Sequence, residues 1–378
     1  MKASLEQRRE CAAKLEANAA RVKELSAFLG LDGFVDKILH VVDKRESAES
    51  YTRVQTIAQF AERIAAAAGK STNIELVKRM EKLGGNGPIM GNALAALGVR
   101  VTYVGCLGWP ELHPVFREFA ERAEVHTIAD PGLTDAYEFT DGKLLFGLHE
   151  SLREVNWENI RNRWSREEFE RHLAGDSMAA FVNWTMLPYM SEVWEAVLEE
   201  VVPNLPSGPR RPMFFDLADP EKRTSEDIRR AFELIVRFGE RFDVTLGLNE
   251  KEAYETAKAL GLGTPESTPE GLSKLALQIA KAVPVKTLVI HPVAYALAVS
   301  EGKVALTPGP VTDQPLITTG AGDHFNSGFC LGKLLGLDDM DCLLTAVTAS
   351  GFYVRTAKSP STADLAATLR DPEIAYGE

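Results

Sequence analysis

Cysteine is scarce in this 378-residue chain. Cys11, Cys106, Cys330 and Cys342 stand far apart, and no C-x-x-C occurs. That excludes a disulfide framework and the spacings of a zinc site. The seven histidines form no H-E-x-x-H. No apolar run reaches the roughly 18 residues of a membrane helix, so no membrane partner is expected. The N-terminus, MKASLEQRRECAAKLEANAARVKELSAFLG, lacks the apolar core of a signal peptide. A cytoplasmic, reduced chain is the expectation. Basic residues are also in deficit: 42 Lys plus Arg against 54 Asp plus Glu give a net charge of −12. Such a field repels phosphate backbones and argues against nucleic acid as a partner. An anionic ligand would need a local device such as a helix N-terminus.

What is present is an ordinary globular composition, 45% hydrophobic and 25% charged. At roughly 150 residues per domain the length allows one large domain or two, and no internal repeat or low-complexity linker divides it. The proline-rich 203–212 reads as a helix-to-strand connection. Residues 1–28 are expected to form an N-terminal helical extension, with Leu15, Val22, Leu25 and Leu29 as the buried stripe. Residues 29–378 would form the main domain.

Turn-bounded apolar runs at 99–105, 179–184, 212–217, 242–248, 285–290 and 294–299 read as strands. Helical patterns separate them near 52–68, 89–97, 114–123, 190–202, 225–239, 250–260, 269–282 and 324–335. Strands separated by crossover helices imply an α/β fold with a largely parallel sheet. Residues 134–150 differ: Tyr137 and Phe139, then Asp141-Gly142, then Leu144 and Phe146 predict a β-hairpin. It would serve as a lid or edge ribbon, and its edge could pair in a homodimer.

Two glycine-rich stretches resemble nucleotide motifs and fail them. IAAAAGKS at 64–71 has Ile64 where a P-loop needs its first glycine, and Gly69 reads as a left-handed helix stop. GGNGPIMG at 84–91 places Gly91 one position late for G-x-G-x-x-G, and KRMEKLGG before it reads as a helix rather than a strand. Its glycines suit a tight loop open to a small polar ligand.

Residues 318–335, TTGAGDHFNSGFCLGKLL, carry the chemistry. Gly320, Ala321 and Gly322 can turn their N–H groups into one concavity, an anion-binding nest. An amphipathic helix follows, so its positive end faces the same concavity. Asp323 in its first turn could be a helix cap. Beside an amide nest, a carboxylate also suits phosphoryl transfer to an alcohol. The amides hold the charge of the transferred group and the carboxylate takes the hydroxyl proton.

T-T-G-A-G-D-x-F before an apolar helix resembles the C-terminal signature of the PfkB-type, ribokinase-like carbohydrate kinases. Other segments agree in order, from about residue 28 to 360. Asp36 in LDGFVDKIL resembles the aspartate after the family's first strand, which binds sugar hydroxyls. Gly84-Gly85, with Asn86, resembles the family's G-G motif at the substrate. Asn249 and Glu252 in LNEKEA resemble its N-x-x-E motif, which organises magnesium and the ATP phosphates. The same two residues would also fit a capping box. Asp216 with Asp219, Pro220 and Arg223 loosely resembles a D-P-N-x-R strand end.

The pattern departs from the family at three places. Ile89 stands where an asparagine usually follows the G-G motif, with Asn92 the nearest substitute. Ile317 replaces an aspartate of the monovalent-cation site, and an alkyl chain cannot ligate a cation. His291-Pro292-Val293 replaces the T-x-G beside the nucleotide. Residues 40–82 read as helical where many members carry lid strands.

The resemblance implies a three-layer α/β/α kinase with a small β lid, using ATP and Mg²⁺ to phosphorylate a sugar-like alcohol. Asp323 would be the base and Gly320, Ala321 and Gly322 the anion hole. Asp36, Gly84, Gly85 and Asn86 would bind substrate. Asn249, Glu252 and Thr319 would serve the nucleotide, and Glu252 the metal. The same fold also admits a nucleoside or vitamin kinase, or a sugar sensor without turnover.

Overall fold

The computed structural model describes residues 3–263 and 265–377. Its main sheet has nine strands in the order β14-β13-β12-β11-β10-β9-β1-β5-β6. In chain order these are β1 (Ser26–Leu31), β5 (Arg100–Gly105), β6 (Glu124–Thr127), β9 (Met178–Phe181), β10 (Pro212–Asp216), β11 (Asp243–Asn249), β12 (Thr287–His291), β13 (Tyr295–Ser300) and β14 (Lys303–Pro308). From β6 to β12 all neighbours are parallel, and only the β12–β13 and β13–β14 pairings are antiparallel.

Both faces are covered, because adjacent strand residues point to opposite sides. Phe214 joins the core beneath helices Asn86–Ala96, Ala321–Leu335, Asp339–Thr356 and Thr362–Arg370. Phe215 faces the other core, beneath Met190–Ala196, Ser225–Phe238 and Pro269–Ala282. The expected three-layer α/β/α architecture is what the structure shows.

A second sheet stands beside the first, formed by β2 (Phe34–Arg45), β3 (Tyr51–Arg53), β4 (Leu76–Gly84), β7 (Gly132–Glu138) and β8 (Lys143–Leu148). The hairpin expected at 134–150 is its β7–β8 pair, turning through Asp141-Gly142, with β8 on the edge. The helical reading of 40–82 is wrong apart from Ile57–Ala65, because β2 and β4 pair antiparallel from Phe34↔Gly84 to Val41↔Leu76. The sheet lies off the main core and leaves β4 charged and partly exposed. K-R-M-E-K therefore carries no clean alternation. A strand does run directly into the 84–91 glycines, but it is a lid strand and not the start of a βαβ unit. Gly69 does take φ +73, four residues beyond the helix end at Ala65.

The N-terminal helix is also shorter than its pattern predicts. Helices Leu5–Ala17 and Ala19–Val22 are followed by β1, where Leu29 pairs with Tyr103 and Ala180. Leu25 and Leu29 fit a helical spacing only because a central strand is apolar on both faces.

Candidate active site

β1 is flanked by β5 on one side and β9 on the other, so the strand order reverses there. In open parallel sheets such a switch point opens a crevice at the carboxyl ends of the strands. The residues that follow those ends are Asp32 after β1, Asn183 after β9, and Asp216, Asn249 and His291 closing β10, β11 and β12. A cleft of ≈ 420 Å³ lies there. Gly85, Asn86, Asn183, Asn249 and Glu252 line it from the body, and Thr134, Leu145 and Gly147 from the lid.

The Ala321–Leu335 helix aims its N-terminus into this region. Gly320 is its N-cap, with φ 91, a backbone state that favours glycine. The Ala321 N–H turns back on the Thr318 carbonyl (3.1 Å). Among the described residues the N–H groups of Gly320, Gly322 and Asp323 have no such partner, so they and not Ala321 can receive an anion. Ile89 packs on Gly320: a Cβ added there would meet its Cγ2 at 3.2 Å. Asn92 does not replace the missing asparagine, since it accepts from Arg122 instead (3.1 Å).

Asp323 is 6% exposed and makes no capping bond. Its Oδ1 accepts from Asn86 Nδ2 at 3.0 Å, and Oδ2 has no partner among the described residues. Burial holds its carboxyl well above the usual range, and the charges of Asp216, Asp32 and Glu252 add to the rise. A carboxylate with raised proton affinity and a free oxygen is suited to be a base.

Glu252 realises the capping box. Its oxygens accept from the Asn249 and Asp219 N–H groups, each at 2.8 Å, while Asn249 Oδ1 accepts from the Glu252 N–H. Burial and the neighbouring Asp216 still raise its carboxyl to about 8. Asp216, also raised by burial, accepts from Asn326 and from the Ala218 N–H. Arg223 is structural, donating to the carbonyls of Trp184, Thr185 and Leu187.

Asp36 lies within β2, on the lid, rather than at the end of β1. Its carboxyl rests on Gly84, where an added Cβ would stand 2.6 Å from Asp36 Cγ. Burial raises it, opposed by Lys82 and by a hydrogen bond to Thr134. The position after β1 belongs to Asp32, which sequence reasoning missed. Asp32 is fully buried, takes the Gly87 N–H (2.9 Å) and Asn183 Nδ2 (2.7 Å), and is raised to about 6 by burial. Asn183 was also missed. It sits at φ 59, 2% exposed, and its buried Oδ1 has no partner among the described residues, which leaves an acceptor for a ligand hydroxyl.

These acids bear on stability. A carboxyl whose folded pKa lies above its unfolded value stabilises fully at low pH, and that stabilisation is lost as pH rises through the folded value. For Glu252 the loss runs from its unfolded value of 4.5 up to about pH 8, where it is complete. His291 and His324, both lowered to about 4 by burial, act oppositely, but only below the unfolded histidine value of about 6.5. The buried cysteines add to the loss only above about pH 8. Ligand-free protein is therefore expected to gain roughly 1–2 kcal/mol as pH falls from about 8 to 6.5. Thermal melts across that range check it, and Glu252→Gln should flatten the profile. A melting temperature that falls over the same range would contradict this reading of the acids.

The two-sheet fold, with an anion nest and a free carboxylate at its switch point, is that of the ribokinase-like sugar kinases. The structure superimposes on ribokinase from Thermotoga maritima with a TM-score of 0.63 at 16% identity, covering 92% of this chain and 100% of that one. Ribokinase from Arabidopsis thaliana, solved with ribose and ATP, gives a TM-score of 0.63 at 15% identity over 92% and 99%. Those likenesses establish the fold. The chain belongs to the prokaryotic ketohexokinase family, whose profile matches residues 4–371. It is 29% identical over 354 residues to the ketohexokinase of Haloferax volcanii, covering 93% of this chain and 92% of that protein. It is an ATP-dependent sugar kinase.

Proposed function

We propose that the chain transfers the γ-phosphoryl group of ATP to a hydroxyl of a ketohexose, with Asp323 as the base. The observation that carries this reading is the buried Asp323 carboxylate beside the N–H groups of Gly320 and Gly322, one oxygen held by Asn86 and the other unengaged among the described residues. Asp323 takes the proton of the acceptor hydroxyl as that oxygen bonds the γ-phosphorus. The bond to the β–γ bridging oxygen breaks and ADP leaves. The amides and the helix dipole hold the charge of the transferred group.

Asp36, Asn86 and the Asn183 Oδ1 supply polar contacts for the acceptor, and Gly84 and Gly85 allow its close approach. Val293 and Leu316 are exposed, at 91% and 70%, and would offer apolar surface to a purine base. Asn249 and Thr319 would serve the phosphates. Magnesium would be held through Glu252: its carboxyl is buried beside Asp216, which raises its proton affinity, and a hard divalent cation with oxygen ligands relieves that repulsion. Bound there, the ion would neutralise phosphate charge.

A ketohexose is expected to raise the melting temperature in proportion to the logarithm of its concentration, and more strongly with Mg-ATP. Stabilisation by nucleosides in its place would favour the nucleoside alternative.

A monovalent cation has no carboxylate at position 317. Exchanging K⁺ for tetramethylammonium at constant ionic strength should leave kcat unchanged, and several-fold stimulation specific to K⁺ would show that other groups rebuild that site.

A further inference from the structure

Two aromatic side chains stand behind the anion nest. His324 is 2% exposed, and its ring stacks on Tyr353 with centroids 3.6 Å apart and planes 13° from parallel. Its Nδ1 lies 2.7 Å from the Gly320 carbonyl oxygen, and its Nε2 lies 2.9 Å from Ser359 Oγ. A carbonyl only accepts, so Nδ1 carries the proton and Nε2 accepts from the Ser359 hydroxyl. The ring is neutral: burial lowers it to about 4. The Tyr353 hydroxyl donates to the Thr319 carbonyl at 3.0 Å. The Thr319 carbonyl is thus tied back onto Tyr353, and the Gly320 carbonyl onto the His324 ring in addition to the first helical bond it accepts from the His324 N–H at 3.1 Å.

The need for such ties follows from the backbone. Gly320, at φ 91, has no side chain to resist rotation of the peptide planes on either side of it. In a trans peptide the carbonyl and the N–H point in opposite directions. A flip of the Thr319–Gly320 plane would withdraw the Gly320 N–H and turn an oxygen toward the bound phosphates. A flip of the Gly320–Ala321 plane would likewise swing the Gly320 oxygen from behind the nest. An anion hole works only when its donors are fixed before charge develops.

We propose that His324 and Tyr353 are positioning residues that hold the Thr319 and Gly320 carbonyl oxygens out of the anion hole. This rests on the reading of Gly320–Asp323 as the phosphoryl-transfer centre. Neither side chain touches the reacting atoms. Their effect falls on the donor geometry met by the transferred group and not on the lid, where Asp36 and Thr134 stand.

Two amides separate the two ends of the imidazole. His324→Asn places an N–H donor where Nδ1 was and loses the Ser359 end. His324→Gln reaches toward the Ser359 end and loses the Gly320 bond. His324→Gln is expected to lower kcat about 10- to 100-fold with the ketohexose KM within about twofold, the size of effect that misplacing an oxyanion donor produces. His324→Asn should recover most of that loss, and Tyr353→Phe should lower kcat about three- to tenfold by removing one hydrogen bond. Ser359→Ala should leave kcat near native. Equal kcat for His324→Gln and the native enzyme, or a loss seen only in sugar KM or melting temperature, would overturn the clamp. Should the His324 variants not fold, Tyr353→Phe decides alone, and full kcat in it overturns the proposal. Asp323→Asn assayed in parallel separates the two ideas. An inactive Asp323→Asn beside a fully active His324→Gln removes the clamp and leaves the centre standing, whereas an active Asp323→Asn removes the centre.

Discussion

Asp323→Asn should leave a folded protein whose kcat has fallen about 10²- to 10⁴-fold, the range for loss of a general base. Asparagine keeps an oxygen for the Asn86 bond and loses only charge and proton affinity. Because Asp323 is buried among Asp216, Asp32 and Glu252, removing its charge relieves repulsion, so the melting temperature should hold or rise. ATP should still bind, since a negative group near the phosphates has gone. Steady-state kinetics with a melting curve and an ATP titration check all three. A folded variant with native turnover would make Asp323 structural. That outcome is already disfavoured by geometry, because the side chain caps nothing: its one bond among the described residues is to Asn86, 237 positions away in sequence.

The second large effect belongs to the lid. Asp36→Ala should raise the ketohexose KM about 10- to 150-fold, the value of a hydrogen bond to a charged group at roughly 1.5–3 kcal/mol, with a much smaller change in kcat. Gly84→Ala should reproduce this with residue 36 unchanged, because its Cβ would stand 2.6 Å from Asp36 Cγ and push the carboxylate aside. Initial rates over a range of sugar concentrations measure it. An unchanged KM in both variants would make Asp36 a structural residue of β2.

The parts of this molecule that could be read from sequence share one property: their meaning is local. Gly320, Gly322 and Asp323 are contiguous, and an amphipathic helix follows them directly. β9 to β13 are buried on both faces, so each reads as an apolar run between turns. The lid failed because its sheet leaves strand faces to solvent and to the cleft. β4 alternates poorly, and β2 changes register between Ile38 and Leu39. The Asp32–Asn183 pair was illegible for another reason. Its members are 151 residues apart and meet only because β1 and β9 are parallel neighbours in the sheet. Nothing near Asn183 in the chain announces that its Oδ1 is left without a partner. Asn249 and Glu252 show the converse: the capping box is formed, and the same bonds set a buried carboxylate at the cleft.

The most direct test of the account is turnover itself. The chain is incubated with Mg-ATP and, in separate reactions, a ketohexose, an aldohexose, ribose and a nucleoside. ADP release is followed and the phosphate ester is identified by mass spectrometry. The account predicts stoichiometric ADP and ketohexose phosphate, with kcat/KM for the ketohexose well above that for the other acceptors. ADP release and ester formation with ribose or a nucleoside, and none with any ketohexose, would contradict it.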